Sequence, residues 1–181
     1  MSDLIFKQNY FEIFSQSVST QPDLGALKEK NYALQLQVHP DKFVNSNDAD
    51  KRQAMQKTSL INEAYETLNN PVSRLQYMLT LKGVDMKGET DTSMDGMFLM
   101  EQMELREEIA DVKSKSDPLD NLDSMTQRLK NQSAEFITDF AQAFENDALD
   151  EGREIVRKLQ FLLKAQKEVN DKIEQIEDEL I

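Results

Sequence analysis

Val38-His39-Pro40-Asp41-Lys42 closes one helical pattern, and Ile61-Asn62-Glu63-Ala64-Tyr65-Glu66-Thr67-Leu68 lies inside the next. Upstream, Leu24, Leu27, Leu34 and Val38 recur at helical spacing, and Asp23 or a nearby residue can cap that run. Pro40 biases His39 away from the α region, so the helix stops there. A polar loop follows, Asn45-Ser46-Asn47-Asp48, and then a third helix over roughly 49–68 with Ala54, Ile61, Ala64, Tyr65 and Leu68 on one side. Before the hairpin, Asn9 to Ser15 holds Tyr10, Phe11, Ile13 and Phe14, a short first helix. After it, Asn70-Pro71 reads as an N-cap followed by proline at the first helical position. The fourth helix runs to about Lys82 and stops at Gly83.

Composition changes at Gly83. Residues 83–96 are a Gly-, Thr-, Asp- and Ser-containing linker, which separates a domain at 1–82 from a second at 97–181. Three longer helical patterns follow, at roughly 97–115, 119–145 and 147–180. Asp117-Pro118 separates the first two, and Asn146-Asp147 can cap the third. The last carries Ile155, Leu159, Leu162, Val169, Ile173, Ile176 and Leu180, with Gln166 as the polar interruption, a seam of coiled-coil type. Gly152 weakens the start of that helix by ~1 kcal/mol. The fold class is all-α: a helical hairpin with short flanking helices, then a three-helix bundle.

The chain of 181 residues is 39% hydrophobic, with five Gly, four Pro, nine Met and no Cys. Without cysteine there is no thiolate metal site, thiol nucleophile or redox switch. No apolar run approaches the ~20 residues of a membrane span, and the N-terminus has neither a basic signal region nor an Arg-rich transit pattern. The expected localisation is cytoplasmic. Residues 1–83 hold nine basic and nine acidic side chains, while 84–181 hold twelve and twenty-five. An acidic second domain repels phosphate backbones and anionic lipids, so neither nucleic acid nor membrane is an expected partner. The acidity also serves as a solvated helical surface.

His39 is the only histidine. It cannot belong to a multi-imidazole metal site, and no strand–turn–helix context offers it a serine nucleophile. A lone histidine is commonly structural, but a Pro-stiffened loop between two helices presents imidazole and carboxylate at low entropic cost. That favours recognition of a protein over catalysis. His-Pro-Asp-Lys at the end of one helix, with Ile61–Leu68 and Asn70-Pro71 after it, resembles a J-domain. The resemblance implies that His39, Pro40 and Asp41, with Lys42 beside them, dock on a DnaK-type chaperone and trigger its ATP hydrolysis. J-domains usually carry a basic second helix; here that face offers mainly Lys28 and Lys30.

The second domain narrows the resemblance. Residues 98–108, Phe-Leu-Met-Glu-Gln-Met-Glu-Leu-Arg-Glu-Glu, and 156–162, Val-Arg-Lys-Leu-Gln-Phe-Leu, are similar to HscB, the J-protein of iron–sulfur cluster assembly. Nearly the whole chain is covered. The resemblance implies a bacterial co-chaperone that binds the scaffold IscU, delivers it to the chaperone HscA and stimulates that chaperone's ATPase. The alternative is a general J-domain co-chaperone for unfolded clients. Independently, Phe98, Leu105, Ile109 and Val112 fall on one narrow arc of a helix, whereas Leu99, Met100 and Met103 fall roughly opposite. Phe161 lies off its own seam. A bundle buries one such face, and the other either packs on a neighbouring element or meets a partner. By resemblance, Leu99, Met100, Met103, Glu104, Arg106, Glu107 and Phe161 contact the scaffold. Met94 stands where the family can have a basic residue, so no contact is carried to it. No resident metal or cofactor is expected. Asp91-Thr92-Ser93-Met94-Asp95-Gly96 imitates half a calcium loop, but its twelfth position is Gln102 in place of a bidentate Glu. A carboxylate hydrolase using Glu101, Glu104 and Glu108 lacks the Glu-x-x-His pairs of bundle metal sites. The chain is not expected to be an enzyme.

Overall fold

The computed structural model describes residues 3–44, 46–86 and 94–179, and every regular element among them is helical. The chain divides into two compact units, Met1–Met78 and Leu79–Ile181.

The first unit opens with a 3-10 turn, Asp3–Lys7, that the sequence reading did not anticipate. α1 follows at Tyr10–Ile13. A reciprocal capping box holds it: Asn9 Oδ1 accepts from the Glu12 amide at 3.0 Å, and the Asn9 amide donates to Glu12 Oε2 at 2.8 Å. α2, Leu24–Val38, is capped by Asp23, whose Oδ1 accepts from the Ala26 amide at 2.9 Å. α3 is Asp48–Asn69, capped by Asn47, and α4 is Pro71–Leu81. At the start of α4, Asn70 Oδ1 accepts from the Ser73 amide at 3.0 Å. α2 and α3 pack as a hairpin with α1 laid on α3. Phe11, Leu27, Ile61, Ala64, Leu68 and Leu75 are completely buried between them.

One expectation for α2 needs correction. Leu24, assigned to the apolar stripe, is 47% exposed. It sits beside the cap, where the helix has not yet come under the core. Asn31 occupies the buried stripe instead. Arg74, which the sequence reading passed over, is buried at 6% exposure. Its Nε donates to the Thr20 carbonyl at 3.0 Å and its Nη1 to the Leu68 carbonyl at 2.6 Å. One guanidinium thus ties the loop before α2 to the end of α3.

The second unit begins within the last turn of α4. That helix ends at Gly83, φ +84, with the Gly83 and Val84 amides donating to the Thr80 and Leu79 carbonyls. This left-handed glycine stop satisfies carbonyls the helix would otherwise leave open. α5 is Gly96–Asp111, with the Asp95 side chain accepting from the Met97 amide, and a 3-10 turn, Val112–Ser114, tightens its end. α6 is Pro118–Glu145 and α7 is Leu149–Glu179. The expected cap of α7 at Asn146-Asp147 is displaced. Asn146 closes α6, its amide donating to Gln142 and Phe144 carbonyls; Asp147 takes φ 58, and α7 starts at Leu149. A left-handed residue is what lets two long helices reverse over so short a link.

α6 packs along α7, and α5 also packs on α7. The core joins Phe98, Leu105, Ile109 and Val112 to Leu122, Leu129, Leu162 and Val169. Gly152 is buried near the Phe140 ring. Of the expected linker at 83–96, residues 87–93 lie outside the described residues, as do Asn45 of the polar loop, Leu180 of the last seam and Asp91, Thr92 and Ser93 of the calcium-loop look-alike.

Candidate interaction sites

The end of α2 builds the first site. His39 leaves the helix at φ −57, ψ 133, an extended geometry that Pro40 imposes on the residue before it. Pro40–Phe43 then forms a 3-10 turn, with the Lys42 amide donating to the His39 carbonyl at 3.0 Å. The Asp41 amide donates to His39 Nδ1 at 3.3 Å, and Asp41 Oδ2 lies 3.6 Å from the same nitrogen. The His39 and Asp41 side chains are 54% and 85% exposed, and Lys42 is exposed. The turn presents an imidazole and a carboxylate to solvent, with none of the water exclusion that acid–base catalysis uses.

Lys28 and Lys30 are exposed but lie on opposite flanks of α2, since two residues subtend about 200° of the helix. The outer face between them carries Tyr32 at 66% and Leu36 at 47% exposure. Beside the turn, Val38, Phe43, Val44, Ala54, Met55 and Thr58 line an apolar groove of about 590 Å³. The sequence reading missed Tyr32, Leu36, Val44 and Met55. The i, i+4 pair Tyr32–Leu36, off the buried stripe, was the available signal.

The second site is a face of α5. Met100 and Met103 are 63% and 64% exposed, and Glu104 and Glu107 are exposed beside them. Leu99 and Phe161 are half-buried, less open than expected. The reason is packing between α5 and α7: the Phe161 ring meets Phe98 edge-on, centroids 6.1 Å apart at 88°. Phe161 is therefore the border of the face and part of its foundation. Arg106 is also less free than expected. Its Nη1 donates to the Gln102 carbonyl at 2.9 Å, and its Nε lies 3.6 Å from Glu168 Oε2 on α7. Met97, 73% exposed, extends the face by one turn. Methionines at 97, 100 and 103 repeat every third residue, a spacing that could have found it. Lys158 and Lys164 of α7 lie near the Phe98 and Phe161 rings, 5.6 and 5.7 Å from the centroids.

Among the described residues, no group of three or more histidine or carboxylate side chains is placed to hold a metal ion. Nor is any described helix long and apolar enough to cross a membrane.

Both sites sit on segments with known counterparts. Residues 9–77 match the DnaJ domain model, and residues 94–170 match the HSCB C-terminal oligomerisation domain model. The chain is 40% identical to the co-chaperone protein HscB homolog of Shewanella loihica over 175 residues, covering 95% of this chain and 99% of that protein. It is 41% identical to the Vibrio atlanticus homolog, over 96% and 99% of the two chains. Among solved structures, the chaperone HscB from Vibrio cholerae superimposes with a TM-score of 0.84 at 33% identity, over 96% of this chain and all of that one. The human co-chaperone HscB does so with a TM-score of 0.81 at 30% identity, over 91% and 82% of the two chains. With such identity spread over almost the full length and both domain models matched in order, this chain belongs to the HscB family of J-domain co-chaperones.

Proposed function

We propose that this protein captures a folded iron–sulfur scaffold of the IscU kind on the α5 face. It then presents that scaffold to a DnaK-type chaperone of the HscA kind, whose ATPase it stimulates through His39, Pro40 and Asp41. The observation that carries the reading is the separation of labour along the chain. An exposed, Pro-stiffened imidazole–carboxylate turn lies in the first unit, and an exposed methionine face in the second. The apolar groove beside the turn and the Tyr32–Leu36 face let a chaperone add buried area to the polar contact. Lys28, Lys30 and Lys42 supply the cations nearby. Met97, Met100 and Met103 adapt to a partner's surface at small cost, as unbranched thioethers do. Glu104 and Glu107 rim that face, and Leu99 and Phe161 anchor its edge. The protein itself catalyses nothing and holds no resident cofactor; it works in the bacterial cytoplasm.

The test is reconstitution. Purified chain, chaperone and scaffold are combined and steady-state ATP hydrolysis is followed. Hydrolysis rises with the chain alone and rises further with chain and scaffold together. Scaffold binding that unfolded peptides displace with equal strength would instead establish a general client-handling role.

A further inference from the structure

The want of cysteine excludes a redox switch built on thiols, but it leaves nine methionines as the chain's only sulfur. Burial sorts these thioethers. Met78 and Met125 lie in the core at 3% and 8% exposure, and Met86 and Met94 are half-buried. Met55, Met97, Met100 and Met103 are 70%, 73%, 63% and 64% exposed. Among the described methionines, all four open ones lie on the interaction surfaces. Met55 lines the groove beside the His39–Asp41 turn, and the other three share one side of α5. A dissolved oxidant therefore reaches the docking surfaces before it reaches the core.

The α5 face is apolar only while its sulfurs are thioethers. One added oxygen makes a methionine polar and chiral, with a strong acceptor in the middle of the face. That acceptor needs a donor once a partner covers it, or its burial costs free energy. The neighbours on α5 cannot donate. Met97, Met100 and Met103 each have an exposed glutamate four residues on, at Glu101, Glu104 and Glu107, and a carboxylate only accepts. Arg106 is committed to the Gln102 carbonyl and Glu168.

We infer that Met97, Met100 and Met103 form a reversible oxidation site, through which hydrogen peroxide switches off capture of the partner. The inference rests on the scaffold-binding reading proposed above. The thioether lone pair attacks one peroxide oxygen, the O–O bond breaks and an S–O bond forms. The other oxygen leaves as water with both protons, so sulfur loses two electrons and peroxide gains them. A thiol-dependent sulfoxide reductase reverses the change, removing the oxygen as water while two thiols become a disulfide.

The test treats the full chain with hydrogen peroxide and removes the oxidant before untreated scaffold is added for calorimetric titration. Peptide mass mapping is expected to find sulfoxide at Met97, Met100 and Met103 well before Met78 and Met125. Scaffold affinity is expected to fall about tenfold or more, with a thermal midpoint close to that of the untreated chain. Sulfoxide reductases for both sulfoxide epimers, supplied with a dithiol, are expected to restore it. Met97→Leu/Met100→Leu/Met103→Leu has no sulfur on the face. It is compared with itself before and after peroxide, and the treatment is expected to leave its own affinity, whatever that is, where it started. The inference is overturned if the fully modified face binds as before, or if repair leaves the loss in place. It is equally overturned if the Leu variant loses affinity to peroxide by the wild-type factor, or if core and face methionines are modified at equal rates. Failure of the untreated chain to bind the scaffold would instead refute the functional reading itself.

Discussion

The role proposed for His39 rests on its exposure. Its Nδ1 accepts from the Asp41 amide and its carbonyl from the Lys42 amide. Replacing it removes almost no packing, so His39→Gln should alter stability by less than ~0.5 kcal/mol. Stimulation of the chaperone's ATPase should nevertheless be lost. Steady-state hydrolysis with wild-type and variant chain, beside matched thermal melts, measures both, and normal stimulation by the variant would remove the docking role from the turn. Tyr10 behaves oppositely, because its hydroxyl is committed to the fold. Burial first, then a hydrogen bond to Glu63 and the negative charge of Glu63, push its pKa up to about 12. Tyr77, stacked on it with ring centroids 4.2 Å apart, is also raised, mainly by burial. The unfolded chain titrates tyrosine near ~10. The neutral phenol therefore contributes stability in full below about pH 10, and that contribution is lost as pH rises from about 10 to 12. Thermal melts across that window should show a falling midpoint, and Tyr10→Phe should shrink the fall. An unchanged fall in the variant would assign the alkaline loss to other groups.

At the scale of the element, α5 holds two faces that answer to different forces. Phe98, Leu105 and Ile109 lie in the core, at 4%, 6% and 8% exposure, while Met97, Met100 and Met103 exceed 60%. Leu105→Ala should lower stability by ~2–5 kcal/mol through lost transfer energy and the cavity left behind. Met100→Ala/Met103→Ala should leave the melt nearly unchanged and reduce scaffold affinity by orders of magnitude, since interface energy concentrates in a few desolvated anchors. Leu99 is better left out of that variant, because half of it packs inside the unit. Calorimetry and melts on the two variants separate core from surface. A melting midpoint for the methionine variant as low as that of the Leu105 variant would place those methionines in the core.

Taken whole, the molecule confines its acid excess to the second half, and one histidine and no cysteine are available as softer ligands. A closed soft-metal site needs several thiolates or imidazoles. The purified, tag-free chain should therefore carry far less than stoichiometric iron or zinc, and should transfer no cluster by itself. Elemental analysis finding near one metal per chain would contradict the delivery role proposed here and point to a carrier.

Helices were legible in the sequence because their causes are local. Asp23, Asn70 and Gly83 stand at helix ends by cap chemistry that acts within four residues, and the period of Phe98, Leu105 and Ile109 marks the buried side of α5. The His39–Asp41 turn was legible for the same reason, since proline acts on its immediate neighbour. Arg74 was not, because its acceptors, the Thr20 and Leu68 carbonyls, become neighbours only when three segments fold together. Nor was the half-burial of Phe161, which is set by the ring of Phe98 on another helix. Periodicity states which face of a helix is apolar, but it cannot state how far the next helix covers that face's edge. The sequence by itself determined the helices, their stops, the turn and the family. The tertiary structure alone decided which side chains stay open and which cations are already paired. Those outcomes depend on distances between residues far apart in the chain.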